Sequence, residues 1–139
     1  MTIIADSSFI YALFNARDPR NQVASVYASA NRDIIVVPEI VLPEISYLFR
    51  RDFGYMGIQT LLDQVMEYEV PFVRLERADL PRISEIATTY ASAEFDIVDC
   101  CIMAIAERLD ITRIATFDRR DFSIYRPRHC PFFELLPPV

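Results

Sequence analysis

Short apolar segments alternate along the chain with longer segments whose apolar residues recur every three or four positions. The short segments, several of them rich in β-branched residues, predict strands at 2–5, 34–37, 70–75, 113–117 and, at an edge, 132–136. The longer segments predict helices after Asp6 and Asp96 and at 20–30, 43–51, 54–69 and 79–93. Strands separated by helices predict a mostly parallel sheet with right-handed crossovers. No repeat, low-complexity tract or linker interrupts the pattern, so the sequence predicts a single domain over 1–139.

The helix predicted at 97–109 is apolar on nearly every side. Asp99 is the only polar residue from 97 to 106, and a helix that is apolar nearly all round is a buried helix. Asp96 is a favourable N-cap and is expected to set where this helix begins. Asp99 lies on the same side as Met103 and therefore points inward. An unpaired buried carboxylate is costly, so Asp99 needs a partner, usually a cation.

Composition narrows the class of protein. The formal net charge is −6, and all 14 basic residues are arginine. P-loop ATPases require a lysine, so the absence of lysine excludes them. Receiver domains and haloacid-dehalogenase-like phosphatases, which also group acids at strand ends, are excluded for the same reason.

The sequence also bears on the location of the protein. No apolar run approaches the roughly 20 residues of a membrane span, and the amino terminus lacks the pattern of a signal peptide. The three cysteines do not form a secreted disulfide framework, and with the single His129 they do not suggest a zinc site. We therefore expect a cytoplasmic protein.

Four acidic residues are placed where a parallel sheet would bring them together. Asp6 and Asp118 directly follow predicted strands, whereas Glu44 and Asp99 open predicted helices. In a parallel sheet all four lie at the carboxyl edge, where functional residues collect. Any one of them could be only a helix cap, so their shared location carries the inference. Clustered carboxylates repel unless a hard divalent cation binds them, and such a cation activates water, so the pattern indicates metal-dependent phosphodiester hydrolysis.

These motifs resemble those of the PIN-domain family, and within it the VapC toxins of bacterial toxin–antitoxin pairs. The matching segments follow the family order over nearly the whole chain and are Ile4-Ala5-Asp6-Ser7-Ser8, Pro43-Glu44-Ile45, Asp96-Ile97-Val98-Asp99 with 104–109, and 115–122. The resemblance implies a three-layer α/β/α sandwich with a mostly parallel central sheet. It also implies an endoribonuclease that depends on Mg²⁺ or Mn²⁺, is inhibited by a VapB-like antitoxin and usually forms a homodimer.

The resemblance further implies roles for individual residues. The family's acidic catalytic and metal-site positions are matched by Asp6, Glu44, Asp99 and Asp118, with Glu44 binding the metal directly or through water. Thr116 matches a hydroxyl that supports the last acid, and Ser7 or Ser8 matches the hydroxyl beside the first.

Three other acids are interpreted differently. Asp96 matches a less central acid of the family and is interpreted mainly as the helix cap rather than as a metal ligand. Asp121 is interpreted as a turn residue. Glu39 competes with Glu44, because Pro38-Glu39-Ile40 echoes Pro43-Glu44-Ile45. Glu44 is preferred because it opens an anchored helix.

An RNA substrate would require positive side chains near the acids, and arginine can supply phosphate contacts. Arg119 and Arg120 directly follow Asp118 and are the first candidates, and further candidates are Arg50, Arg51, Arg126 and Arg128. The sequence leaves one alternative function open, because the net charge is negative and no RNA-binding module is recognisable. This alternative is a catalytically silent PIN-like module that holds a metal or a basic protein partner without turnover.

Overall fold

The computed structural model describes residues 1–138 and contains one five-stranded sheet flanked by helices. The strands are β1 (Thr2–Ala5), β2 (Ile34–Pro38), β3 (Phe72–Val73), β4 (Arg113–Ala115) and β5 (Glu134–Leu136). All neighbouring strands are parallel, in the order β3-β2-β1-β4-β5. The predicted parallel α/β architecture is therefore confirmed, and the last strand lies at an edge as expected.

The strands are connected by α1 (Ser7–Phe14), α2 (Asn21–Ala30), α3 (Leu42–Phe53), α4 (Met56–Glu67), α5 (Leu80–Thr89), α6 (Ile97–Leu109) and α7 (Arg120–Ile124). Single 3₁₀ turns precede α3 and α5 and follow α5, at Glu39–Val41, Arg77–Asp79 and Ala91–Ala93. Helix α1 packs on α2 and α3, α3 packs on α4, and α6 packs on α5 and α7. Across residues 1–138, none of these helices has both the length and the apolar character that crossing a membrane requires.

Strand β1 is the central strand of the sheet and leads directly into the first acid. Residues 3–5 are fully buried, as expected for a parallel strand covered on both faces. Ile4 pairs with Ile114 of β4, and the N–H of Asp6 continues this pairing by donating to the carbonyl oxygen of Ala115 at 3.1 Å. Because parallel strands end at the same edge, the residues that follow β1 and β4 meet there.

Helix α6 is buried as its apolar pattern predicts. Every residue from Cys100 to Ala106 is buried. The carboxylate of Asp96 caps the helix by accepting a hydrogen bond from the N–H of Val98 at 2.8 Å. This cap sets the start of α6 and places Asp99 in its first turn.

Helices α2 and α4 differ from the packing that their spacing predicts. Helical spacing places Val23, Val26 and Met66 on core-facing stripes, yet these residues are 52%, 61% and 63% exposed. Burial in these helices falls mainly on Ala24 and Leu61. An amphipathic pattern gives the apolar positions of a helix but not how wide a strip the neighbouring layer covers, and here that strip is narrow.

Two features around the last helices also differ from prediction. Asp79 occupies the N-cap position of α5 as expected, but the helix ends at Thr89 rather than at 93 and the carboxylate makes no capping hydrogen bond to it. The carboxylate instead accepts from the N–H of Glu76 and pairs with Arg108, each at 2.9 Å. Helix α7 is not predicted, because its five residues are too few to show a period.

Candidate active site

An open pocket of about 690 Å³ lies where β1 and β4 end. Its wall includes all four predicted acids, which are Asp6, Glu44, Asp99 and Asp118, together with Ser7, Ser8 and Asp96. It also includes three further acids and three arginines, which are Asp18, Asp52, Asp121, Arg17, Arg20 and Arg51. The wall therefore carries eight carboxyl groups and three guanidinium groups, and its net charge is strongly negative when the acids are ionised.

Asp6 is the most buried acid of the pocket, with 4% of its surface exposed. Its Oδ1 accepts from the N–H of Phe9 at 3.0 Å and from the hydroxyl of Ser8 at 2.7 Å, and its Oδ2 accepts from the hydroxyl of Thr116. Burial raises the pKa of Asp6 to about 6, although these hydrogen bonds act in the opposite direction. The three hydrogen-bond donors therefore do not fully offset the cost of burying the ionised carboxylate. A positive charge beside Asp6 would reduce that cost.

The hydroxyls of Thr116 and Ser8 connect the end of β1 to the loop after β4. Thr116, which is fully buried, donates to Asp6 and accepts from the N–H of Asp118 at 3.0 Å. Ser8 donates to Asp6 and accepts from the N–H of Phe117 at 2.9 Å. These contacts hold the backbone of Asp118 in a set position relative to the carboxylate of Asp6.

Ser7 orients the acid that α3 contributes. Its hydroxyl donates to Oε1 of Glu44, which lies in the first turn of α3. Glu39, the competing residue, is exposed in the Glu39–Val41 turn and is not part of the pocket wall. Of the two glutamates, Glu44 is the one that the fold directs towards Asp6.

Asp99 reaches the pocket from the first turn of α6. Burial raises its pKa, and a hydrogen-bonding contact with Asp121 and the negative charge of Asp6 raise it further. Among the ion pairs of residues 1–138, none involves Asp99. The inward carboxylate on the apolar helix thus lacks the compensating charge that its burial calls for.

The order of these acidic motifs along the chain matches a known family. The family model of the PIN domain aligns with residues 3–126. The chain belongs to the PIN-domain family. The aligned residues include every acid of the pocket, so the family resemblance seen in the motifs is confirmed.

Relatives of this PIN domain include VapC proteins. Ribonuclease VapC26 of Mycobacterium tuberculosis is 27% identical over 135 residues, which cover 97% of this chain and 100% of the relative. The crystal structure of Mycobacterium tuberculosis VapC20, a Sarcin-Ricin loop cleaving toxin, matches with a TM-score of 0.75 and 21% identity over 85% of this chain and 91% of that chain. VapBC2 from Rickettsia felis, bound to a DNA fragment from its promoter, matches with a TM-score of 0.68 and 15% identity over 97% of each chain. Both structures share the fold of this PIN domain.

Asp121 belongs to the pocket of this PIN domain, so its interpretation as a turn residue is wrong. It lies in the first turn of α7, is 9% exposed and contacts Asp99. Arg120 pairs with it at 2.7 Å, and the N–H of Asp96 approaches it at 3.4 Å. The sequence signal that could have revealed it is its position three residues after Asp118, in the same short segment after β4.

Arg119 and Arg120 are turned towards the protein backbone and do not line the pocket. Arg119 donates to the carbonyl oxygens of Thr116, at 3.0 Å, and Pro137. Arg120 donates to the carbonyl oxygen of Ala93 at 2.8 Å. Their positions favour a structural role over the predicted contact with RNA phosphate, and the guanidinium groups on the pocket wall belong instead to Arg17, Arg20 and Arg51.

The donor set of the pocket fits a hard divalent cation. Its candidate ligands are carboxylate oxygens, and no histidine or cysteine lines its wall, which is the donor chemistry that Mg²⁺ and Mn²⁺ prefer. In the part of the chain that the structure describes, no group of three or more acidic, histidine or cysteine side chains has an arrangement that could hold a metal ion, so the fit lies in the type of donor and not in its geometry. Water would complete the shell of a bound Mg²⁺, which commonly keeps several waters.

Proposed function

We propose that this PIN domain is a metal-dependent endoribonuclease, the toxin of a toxin–antitoxin pair, which hydrolyses RNA phosphodiester bonds. The observation that carries the proposal is the meeting of Asp6, Glu44, Asp99 and Asp118 on one pocket. The identity to ribonuclease VapC26, over the full length of that relative, supports RNA as the substrate class. The fold shared with VapC20, a Sarcin-Ricin loop cleaving toxin, is consistent with it.

The proposed cofactor is Mg²⁺ or Mn²⁺. Asp6, Asp99 and Asp118 would bind the ion directly, and Glu44 would bind it directly or through water. Asp96 would contribute little as a ligand, because its main role is to cap α6. When bound, a divalent cation lowers the pKa of water and stabilises the negative charge that develops on phosphate oxygens. The raised pKa values of Asp6 and Asp99 support this assignment, because both carboxylates lack a compensating positive charge.

The hydroxyls around the acids serve to orient them. Thr116 and Ser8 hold the carboxylate of Asp6 and the backbone that follows β4. Ser7 holds Glu44, and the cap formed by Asp96 sets the direction of α6. Because these contacts come from within the fold, the carboxylates are oriented before any substrate arrives, and little reorganisation is needed at the moment of reaction.

The charge of the pocket also favours a basic protein inhibitor. Eight carboxyl groups against three guanidinium groups would attract a positively charged segment of a VapB-like antitoxin. The fold that this PIN domain shares with a chain of VapBC2 from Rickettsia felis is consistent with such a partner. The homodimer follows from the family resemblance and the cytoplasmic location from the sequence pattern, and both are part of the same proposal.

The proposed activity is tested by incubating the purified protein with RNA in Mg²⁺, in Mn²⁺ and in EDTA. We expect cleavage with either metal and none in EDTA. Glu44→Gln and Asp6→Asn should each reduce the cleavage rate by more than about 100-fold, because even a change behind a metal ligand typically reduces activity about 10–100-fold.

Glu39→Gln is the matched control for Glu44→Gln. Both glutamates follow a proline and precede an isoleucine, but Glu39 is exposed outside the pocket. Glu39→Gln should therefore cleave at the wild-type rate. Cleavage that continues in EDTA, or that survives Glu44→Gln and Asp6→Asn, would contradict the proposal.

Thr116→Val should slow metal-dependent cleavage by about 10–100-fold. Valine has nearly the same shape as threonine, but it can neither donate to Asp6 nor accept from the N–H of Asp118. Thr116→Ser keeps the hydroxyl and should retain most of the activity. The measurement is the single-turnover rate in saturating Mg²⁺, with circular dichroism as a check of the fold. Equal rates for the two variants would show that the hydroxyl does not orient the acids.

A further inference from the structure

Two arginines on the loop between α1 and α2 form a basic rim beside the acidic pocket. Arg17 and Arg20 both belong to the pocket wall. The loop at 15–20 brings them there from a part of the chain that carries none of the acidic motifs. The arginines next to Asp118 in sequence do not line the wall, whereas Arg17 and Arg20 do, together with Arg51.

Each guanidinium group of the rim lies over an aromatic ring. The Cζ atom of Arg17 is 5.1 Å from the ring centroid of Phe53, and that of Arg20 is 4.9 Å from the ring centroid of Phe117. Phe117 immediately precedes Asp118, so Arg20 is held close to the last acid of the site. A cation–π contact occupies the face of a guanidinium group and leaves the N–H groups along its edge free.

Polar side chains at the ends of the loop hold its backbone. Oδ1 of Asn15 accepts from the N–H of Arg17 at 2.9 Å, and Oδ1 of Asp18 accepts from the N–H of Arg20 at 2.8 Å. Asn21 closes the loop by donating to the carbonyl oxygen of Ala12 at 2.9 Å. The rim is thus ordered by the fold itself, which reduces the entropy lost when it binds a ligand.

The two guanidinium groups of the rim keep most of their donors unused. Within residues 1–138, the side chain of Arg17 makes no hydrogen bond or ion pair, and Arg20 makes only a long contact of 3.4 Å from Nε to Asp18. Arg51, the third arginine of the wall, instead binds both oxygens of Asp52 at 2.8 and 2.9 Å. Free donors on the wall are therefore concentrated at Arg17 and Arg20.

We propose that Arg17 and Arg20 bind phosphates of the RNA backbone on the side of the α1–α2 loop and position the strand over the acidic pocket. This inference rests on the proposed function, because it names the residues that receive its substrate. A polyanion approaching eight carboxyl groups needs compensating cations. Free guanidinium edges supply them in the paired-donor geometry that phosphate oxygens accept.

The test measures binding separately from cleavage. Fluorescence anisotropy with a labelled single-stranded oligoribonucleotide in EDTA reports binding, and steady-state kinetics in Mg²⁺ report kcat and KM. Arg17→Gln and Arg20→Gln should each weaken binding about 10-fold and raise KM more than they lower kcat. In the double variant, the slope of log K against log salt should fall by about 1.4, or about 0.7 for each lost phosphate contact.

Two control variants keep this test interpretable. Arg32→Gln removes an exposed arginine just before β2, at the opposite edge of the sheet, and should change binding by less than about two-fold. Arg17→Lys with Arg20→Lys keeps both charges and should preserve the salt slope while losing part of the affinity. If the glutamine variants fold poorly, the affinity of the lysine variant for RNA still shows whether the arginines of the rim contact phosphate.

The outcomes distinguish the inference from the proposed activity. Unchanged affinity and salt slope in the double glutamine variant overturn the inference, even if the wild-type protein cleaves RNA. Arginine-dependent RNA binding by a wild-type protein that does not cleave supports the inference and contradicts the proposed activity. If the glutamine variants lose binding to polyglutamate and keep their binding to RNA, the rim serves an acidic polypeptide and the inference is overturned.

Discussion

The Asp99→Asn variant is expected to melt at a higher temperature than the wild-type protein at pH 8 in EDTA, and to lose RNA cleavage. Burial, the contact with Asp121 and the charge of Asp6 all disfavour the ionised form of Asp99. Asparagine has no charge, and its amide can donate to Asp121. Each unit by which the fold raises the pKa of Asp99 corresponds to about 1.4 kcal/mol of destabilisation at a pH above the folded pKa. If Asp99→Asn removes the equivalent of one unit, the melting temperature should rise by roughly 5 °C for a chain of this size.

The same physics gives the pH dependence of the metal-free protein. The pKa of Asp6 is raised from 3.8 to about 6, and that of Asp99 is raised as well. A carboxyl group with a raised pKa binds its proton more tightly in the folded protein than in the unfolded chain. The tighter proton binding stabilises the folded protein. This stabilisation is complete below the pKa that the group has in the unfolded chain, and it is lost as the pH rises through the pKa that the group has in the folded protein. For Asp6 alone, the loss approaches about 3 kcal/mol.

Melting curves in EDTA between pH 5 and pH 8 measure both effects. The wild-type melting temperature should fall as the pH rises, and Asp99→Asn should flatten the decline. Added Mg²⁺ should raise the melting temperature of the wild-type protein much more than that of Asp99→Asn, because a ligand stabilises only the state that binds it. Asp63→Asn, at an exposed position on α4, is the control and should melt within about 2 °C of the wild type. A lower melting temperature for Asp99→Asn at pH 8 would show that the fold already compensates this carboxylate.

Four acids of the candidate site could be predicted because each is marked by a local pattern. Asp6 follows a buried strand and Asp99 interrupts an apolar helix. Parallel strands then bring such residues to one edge without any knowledge of tertiary contacts. The same logic selects Glu44 over Glu39, because the selected residue opens a helix that packs on the core.

The parts that could not be predicted depend on contacts between distant segments. Asp121 is a pocket residue because α7 packs against α6, and the two acids that meet there are far apart in sequence. Arg119 and Arg120 closely follow Asp118 in sequence, but Arg119 donates to backbone carbonyl groups, and Arg120 donates to a backbone carbonyl group and to Asp121. Arg17 reaches the pocket only because the loop between α1 and α2 passes beside it. Adjacency to Asp118 in sequence is thus a poor guide to which arginines line the pocket.

The second large effect is expected at the opposite end of α6, where Glu107→Ala should reduce the free energy of unfolding by about 3–5 kcal/mol. The side chain of Glu107 is 9% exposed and binds Arg82 at 2.7 Å, from Nε to Oε1. Its Oε2 accepts from the hydroxyl of Tyr125 at 2.5 Å and from the N–H of Arg128 at 2.9 Å. Burial acts to raise the pKa of Glu107, but these hydrogen bonds outweigh it and the pKa is lowered.

The predicted loss arises from the groups that Glu107→Ala would leave behind. The hydroxyl of Tyr125 and the guanidinium group of Arg82, whose side chain is 20% exposed, would lose their main hydrogen-bond acceptor. Removing one partner of a buried charge pair leaves the other charge uncompensated, and this reduces stability more than replacing both partners by apolar residues does. Glu107→Gln keeps the shape and one acceptor oxygen, so its loss should be smaller, about 2 kcal/mol.

Urea denaturation at pH 7 measures these losses against Glu85→Ala. Glu85 also pairs with Arg82, at 3.0 Å, but its side chain is 53% exposed, so its removal should reduce the free energy of unfolding by at most about 1 kcal/mol. Below its denaturation midpoint, Glu107→Ala should still cleave RNA, because Glu107 lies about two turns of α6 away from Asp99 and does not line the acidic pocket. If Glu107→Ala were no more destabilising than Glu85→Ala, water would have to replace the carboxylate, and the buried network would contribute little to the stability of the fold.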